Sequence, residues 1–420
     1  MSISIRDALL PDGHRAAVHV DGNRIVEIGP PREADVTIDA LGKALLPGFV
    51  NTHTHAAMTL FRGYADDMEL QSWLSAKIWP AEARLTPDMA YWGTKLACLE
   101  MIKSGTTSFN DMYFFMDHAA RAVDEMGIRA VLSEGFIDLF HEDRAEEELR
   151  KTRTAIDRIS SMRNPRITPA VGPHAVYTVS ESSLRALRAM ADERACPFHI
   201  HVSETKGEVE GARKDHGKTP AAYLDAIGVL GPRVVAAHSV WLEEAEIATF
   251  ARRGVAVAHC PVSNMKLAVG RAMPLAAMQR AGVTVSLGTD GAASNNRLDM
   301  FESMKLAALL HKFAADSATV APAAEVFDMA TRGGARALGL DAGSIEVGKL
   351  ADVILVDLHR PEMTPSHNLV SNLVYAATGD CVDTVICDGR VVMEGRRVRG
   401  EIEILAKAGE IAANLVGGAS

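Results

Sequence analysis

Four short stretches carry side chains able to do chemistry together. In LLPGFVNTHTHAAM, His53 and His55 stand two apart in what reads as an extended strand, so both imidazoles project from one face. Two such rings at a strand end make half of a metal site. In HIHVSET, His199 and His201 share a face in the same way, and Glu204 follows as the strand runs into a loop. His201 lies nearer the strand end and is the expected ligand; His199, one layer deeper, reads as a hydrogen-bonded core histidine. His238 closes the apolar run VVAAH. Asp290 follows VTVSL between Gly288 and Gly291, glycines expected to let the chain turn sharply. Alone, an aspartate at such a turn is a capping residue. Beside three or four histidines at other strand ends, it completes a site for a divalent ion with an open position. Imidazole and carboxylate donors without cysteine suit Zn²⁺, and also Fe²⁺ or Mn²⁺. Such an ion lowers the pKa of a water from about 16 to about 7. Glu204 and His238 then stand as proton carriers.

Residues so far apart must be brought together by the fold. The middle of the chain alternates apolar runs with amphipathic helical stretches: RITPAVGPH then SESSLRALRAMADERA, PFHIHVSE, RVVAAHS then EEAEIATFARRG, VAVAHCPVS, VTVSLGTDG. Continuous apolar strands between amphipathic helices predict a parallel sheet covered on both sides. Repeated about eight times, the pattern predicts a (β/α)8 TIM barrel over residues 49–340. His53, His55, His174, His201, His238 and Asp290 each fall at or just after the C-terminal end of such a strand, and in a barrel those ends share one mouth. The two chain ends read differently. Residues 1–48 and 341–400 hold short alternating segments, including DTVICDGRVVM with Asp388-Gly389 as a hairpin turn, and predict a small composite β-sandwich. A C-terminal helix is expected over 401–420.

Composition narrows the class. The 420 residues are 48% hydrophobic and 23% charged, which excludes disordered and fibrous classes. A formal net charge of −10 argues against nucleic acid as a partner. Apolar runs such as Val234–Ala237 fall far short of the about 20 residues that cross a bilayer, so no membrane partner is expected. The N-terminal MSISIRDALLPDGHR has no apolar core and does not read as a signal peptide. Five scattered cysteines without CxxC spacing fit a reducing, cytoplasmic setting.

In order and spacing, PGFVNTHTH, HVSE, AAHS, HCPVSNMKLAVG and LGTDGAASNN resemble the amidohydrolase superfamily, and within it the 5-methylthioadenosine/S-adenosylhomocysteine deaminases and archaeal 5′-deoxyadenosine deaminases. The likeness runs over nearly the whole chain. It implies that His53, His55, His201 and Asp290 hold the metal and that Glu204, His238 and Asp290 are catalytic. Two-metal members bridge their ions with a carboxylated lysine on the fourth strand. Here that strand, ITPAVGPH, offers His174 and no lysine, so one metal per subunit is expected.

The resemblance also implies a substrate and its contacts. Hydrolytic deamination of an adenosine-type nucleoside is expected, on 5′-deoxyadenosine, 5′-methylthioadenosine, S-adenosylhomocysteine or adenosine. Glu82 is similar to the acid that binds ribose hydroxyls in this group; its other reading is a helix cap near Leu85-Thr86-Pro87. Trp73 is similar to a pocket aromatic or is a plain core tryptophan, and His174 matches a nucleoside contact. Arg144 matches one arginine of the group, whereas Glu134 stands where bacterial members carry another. Less preference for S-adenosylhomocysteine is expected, because glutamate repels the carboxylate of a homocysteine tail. Guanine and cytosine deaminases and triazine hydrolases share much of the metal constellation, but do not need a ribose clamp. A non-catalytic scaffold would typically have lost metal ligands that this chain retains. The superfamily usually assembles as homo-oligomers, dimers or tetramers.

Overall fold

The structure is a computed structural model and describes residues 1–417. Eight parallel strands form the barrel: β6 (Phe49–Thr54), β7 (Thr106–Tyr113), β8 (Arg129–Phe136), β9 (Ile167–Pro173), β10 (Phe198–Val202), β11 (Val234–His238), β12 (Ala256–His259) and β13 (Thr284–Leu287). They pair in sequence order from β6 to β13, with helices between them. Sequence pattern and fold agree because strands walled on both faces are largely apolar, although β7 (TTSFNDMY) is buried and mostly polar.

The barrel closes through side chains and one backbone bond. β6 carries buried Asn51, Thr52 and Thr54 among its apolar residues. Thr52 Oγ1 donates to the Leu287 carbonyl at 2.9 Å, Asn51 Nδ2 donates to Thr289 Oγ1 at 2.7 Å, and the Asp290 N–H donates to the His53 carbonyl at 2.9 Å. These bonds seat the first and last strands side by side, so Asp290 sits beside His53 and His55.

Helix entries repeat one device. Thr86, Ser180 and Thr205 cap the helices Pro87–Lys103, Glu181–Glu193 and Lys206–His216, each accepting a first-turn N–H. Glu82 is therefore not the cap of the helix that follows it; Thr86 fills that place.

The second sheet joins β1 (Ser2–Leu9), β2 (Arg15–Asp21), β3 (Arg24–Gly29), β4 (Val36–Asp39) and β5 (Lys43–Pro47) to β14 (Val353–Asp357), β15 (Val382–Cys387) and β16 (Arg390–Met393) from the other chain end. Its core is a satellite cluster that includes Ile3, Ile5, Val18, Val353 and Leu355. The β15–β16 turn places Asp388 at φ 52° and Gly389 at φ 69°, the left-handed pair that a two-residue hairpin needs. Residues 361–381 are not strands, as expected for that span, but short helices, Pro361–Met363, Leu369–Tyr375 and Gly379–Cys381. Arg129, the first residue of β8, donates to Asp352 at 3.0 and 3.3 Å and to Asp388 at 3.1 Å, tying this sheet to the barrel end opposite the mouth. The C-terminal helix runs Glu401–Gly417, and residues 418–420 of the helix expected there lie outside the described residues. Among the described residues no helix is long and apolar enough to cross a membrane, and all five cysteines are free and buried.

Candidate metal centre and active site

Four histidines and an aspartate converge at the mouth. His55 Nδ1 lies 2.6 Å from the Met112 carbonyl, and His201 Nδ1 lies 2.8 Å from the His174 carbonyl. A carbonyl can only accept, so both Nδ1 atoms carry the proton and both Nε2 atoms present lone pairs. Those two Nε2 atoms face one another at 3.3 Å. His53 Nδ1 meets His199 Nε2 at 2.8 Å, while His53 Nε2 is buried with no hydrogen-bond partner. Asp290 Oδ1 stands 3.4 Å from His53 Nε2 and 3.3 Å from His55 Nε2. Burial lowers the pKa of His53 to about 4, so the ring is neutral at pH 7, and with its one proton on Nδ1 toward His199 its Nε2 presents a lone pair.

Bare donor atoms at these separations repel unless a cation lies among them. Ligand bonds of about 2.0–2.1 Å around a tetrahedral ion put neighbouring donors about 3.3 Å apart, the spacing seen here. Burial raises the Asp290 carboxyl, but the adjacent His53 imidazole, with the charges of His55 and His238, outweighs it and holds that carboxyl well below the usual range. Asp290 stays an anion. Its Oδ2 accepts from Ser263 Oγ at 2.6 Å and its Oδ1 from the Gly291 N–H at 2.8 Å, which fixes the carboxylate plane. Donor chemistry and spacing both fit a divalent metal.

Asp290 itself turns the chain, at φ 61°, instead of the glycines expected to do so. The glycines serve for closeness: a Cβ on Gly288 would lie 2.8 Å from His53 Cβ, and one on Gly291 would lie 2.8 Å from Met58 Sδ. His238 at φ 65° and Ser203 at φ 51° swing the ends of β11 and β10 in the same left-handed way.

Two proton-carrying groups stand beside this centre. Glu204 is 8% exposed, and burial raises its pKa. Its Oε2 is 3.8 Å from His238 Nε2. His238 Nδ1 donates to Asn264 Oδ1 at 2.9 Å, leaving Nε2 facing the cavity. Burial lowers the His238 pKa, but the charges of Glu204 and Asp290 outweigh it and the net shift is upward. His174 also lines the cavity. The Thr178 hydroxyl donates to the Ala175 carbonyl and so accepts from His174 Nδ1 at 2.9 Å, which turns His174 Nε2 inward as an acceptor.

Trp73 and Glu82 line the same cavity from an excursion between β6 and the helix 87–103, built as Leu70–Trp73, a π-turn Leu74–Ile78, and Trp79–Glu82. Trp73 is 5% exposed, so it packs as core and faces the pocket at once. Burial raises the Glu82 carboxyl to about 7 against the hydrogen bond from Tyr113.

Arg144 is not brought to this cavity. It is exposed on the first turn of the helix Glu142–Ser161, where it lines an adjoining space of about 630 Å³ with Glu134 and Glu148. The two spaces share Trp79, Glu82, Phe114, Gly135 and Ile137. The Glu134 carboxylate accepts the backbone N–H groups of Phe115 and Met116 at 3.0 and 2.9 Å, capping the helix Met116–Met126.

Several partners carried no assigned role in the sequence reading. Glu208, Asn264, Ser263, Thr178 and Tyr113 each hold a site residue. Glu208 had a signal: Thr205-Lys206-Gly207-Glu208 has the spacing of a capping box. His259 and His311, given no partner, form a buried pair with Nε2 atoms 3.1 Å apart.

Fold and site together define a class: (β/α)8 barrels that gather histidines and an aspartate for a divalent ion at the strand C-terminal ends. The chain belongs to the amidohydrolase family, whose model matches residues 44–392. It is 54% identical over 394 residues to a 5′-deoxyadenosine deaminase of Methanothermobacter thermautotrophicus, covering 93% of this chain and 91% of that one. It is 53% identical to 5-methylthioadenosine/S-adenosylhomocysteine deaminase 1 of Archaeoglobus fulgidus, covering 95% of each. Among solved structures, an adenosine deaminase from Xanthomonas campestris with bound zinc superposes with a TM-score of 0.92 at 38% identity, covering 99% of this chain and 98% of that one.

Proposed function

We propose that this protein is a metal-dependent aminohydrolase that converts adenosine-type nucleosides to their inosine analogues and ammonia, with 5′-deoxyadenosine, 5′-methylthioadenosine and adenosine as its main substrates. One observation carries the reading: a single cavity is lined by Glu204, His238 and Asp290 and by Glu82, so base chemistry and sugar recognition would share one space. The names of its relatives support the same substrates.

His53, His55, His201 and Asp290 would hold one divalent ion, and the zinc in the Xanthomonas deaminase supports Zn²⁺ over Fe²⁺ or Mn²⁺. When bound, the metal supplies Lewis acidity that makes water a competent nucleophile near neutral pH. Glu204, whose carboxyl burial pushes upward, donates to N1 of the purine and makes C6 electrophilic. His238, oriented by Asn264, holds and deprotonates the attacking water and passes that proton to Glu204, 3.8 Å away, restoring the acid. Asp290 receives the remaining proton and returns it to the departing amine, which leaves as ammonia. His174 Nε2 accepts from the substrate, Trp73 packs on it, and Glu82 accepts from the ribose hydroxyls. Arg144 lines the adjoining space, into which a long 5′ substituent would extend.

The test is kcat/KM across 5′-deoxyadenosine, 5′-methylthioadenosine, adenosine and S-adenosylhomocysteine, with guanine, cytosine and a chlorotriazine as competitors for the reading. Turnover of a free base or triazine above the nucleosides would overturn it.

A further inference from the structure

Tyr113 is the last residue of β7, 4% exposed, and its hydroxyl donates to Glu82 Oε1 at 2.7 Å. Glu82 does not belong to a barrel strand. Among the described residues, Tyr113 supplies the one side-chain hydrogen bond that ties its carboxylate to the barrel. The preceding residue, Met112, turns its carbonyl to His55 Nδ1 at 2.6 Å. Two consecutive residues at the end of one strand therefore hold a histidine of the metal centre and the carboxylate on the far side of the cavity. The Tyr113 and His55 rings lie 6.2 Å apart, so the two anchors are close and rigidly related.

We propose that Tyr113 is a positioning residue: it holds the Glu82 carboxylate at a set distance from the metal centre, and so fixes how far the ribose stands from the carbon that is attacked. This rests on the reading of Glu82 as the ribose acceptor. Occupying Oε1 with a phenol proton aims the remaining lone pairs at the sugar. A phenylalanine would leave a buried carboxylate without a donor, free to protonate and to rotate.

The experiment compares wild type, Tyr113→Phe, Glu82→Gln and the double variant on adenosine and 2′,3′-dideoxyadenosine. For Tyr113→Phe the KM for adenosine should rise about tenfold, as for loss of a hydrogen bond to a charged group, with kcat changed less than about threefold. The KM for 2′,3′-dideoxyadenosine should not move. The double variant should be no worse on adenosine than Glu82→Gln alone, since both act through one carboxylate. The same contrast should appear in calorimetric binding of inosine and 2′,3′-dideoxyinosine to metal-free protein. An equal loss of kcat on both substrates, a loss of bound metal, or no change at all in Tyr113→Phe would overturn the proposal. If Glu82→Gln discriminates the two substrates and Tyr113→Phe does not, the positioning role alone fails. If Glu82→Gln does not discriminate them, the ribose reading fails and the positioning role with it.

Discussion

Glu208 holds Glu204 by its main chain. The Glu208 carboxylate accepts the Glu204 N–H at 2.7 Å through one oxygen and the Ser203 N–H at 2.9 Å through the other. Ser203 sits at φ 51°, so a buried acid clamps the turn that sends the Glu204 side chain into the cavity.

Glutamine at position 208 can accept one of those N–H groups but presents an amide donor to the other. A buried unmet donor costs about 1–3 kcal/mol. Glu208→Gln should therefore lower kcat on 5′-deoxyadenosine about tenfold or more, with a smaller change in KM, and lower the melting temperature. Steady-state kinetics and thermal melts check both. Unchanged kcat would show that the clamp does not set Glu204.

Facing lone pairs on His55 and His201 make the empty centre unfavourable, so removing metal should cost stability as well as activity. Dialysis against a chelator should abolish turnover and lower the melting temperature. Adding back Zn²⁺ at a thousandfold excess over Kd should restore about 4 kcal/mol. His201→Ala should bind no stoichiometric metal by elemental analysis. A chelated protein with full activity would remove the metal from the reaction.

As the proposed ribose acceptor, Glu82 should make riboside binding pH-dependent. Burial raises its carboxyl to about 7, so its ionised fraction falls as pH drops through that value. The ionised form accepts two hydroxyls and the protonated form does so less well, so sugar binding favours ionisation and lowers the pKa in the complex. The KM for adenosine should rise as pH falls below about 7. In Glu82→Gln the KM should be higher and lose this dependence. A flat profile in the wild type would remove Glu82 from sugar recognition.

Glu134 should bear on the length of the 5′ substituent under the proposed reaction. It caps the helix 116–126 and also lines the outer space with Arg144, so an anionic tail there meets one attraction and one repulsion. S-adenosylhomocysteine should be a poorer substrate than 5′-deoxyadenosine. Glu134→Gln should raise the ratio of kcat/KM for S-adenosylhomocysteine over 5′-deoxyadenosine about fivefold, the scale of one partly screened charge. Its melting temperature should fall through the weakened cap. An unchanged ratio would mean the tail does not pass Glu134.

Local periodicity is written in sequence, and it determined which side chains share a face. His53 with His55, and His199 with His201, were paired by the two-residue repeat of a strand. The barrel followed from apolar runs between amphipathic helices, and the Asp388-Gly389 turn from its dipeptide. What each of these groups bonds to was decided by tertiary structure. The His53–His199 bond spans 146 residues and exists because barrel closure brings β6 across from β10, four strands on in sequence order. Gly288 and Gly291 were visible as glycines, yet only packing shows that they make room for His53 and Met58 while Asp290 takes the strained turn. Glu134, Glu208 and Tyr113 are ordinary residues by composition. Their roles come from backbone N–H groups or a carboxylate that the fold carries to them; only Glu208 had a local signal, the capping-box spacing from Thr205, and that spacing does not show it holding Ser203 and Glu204.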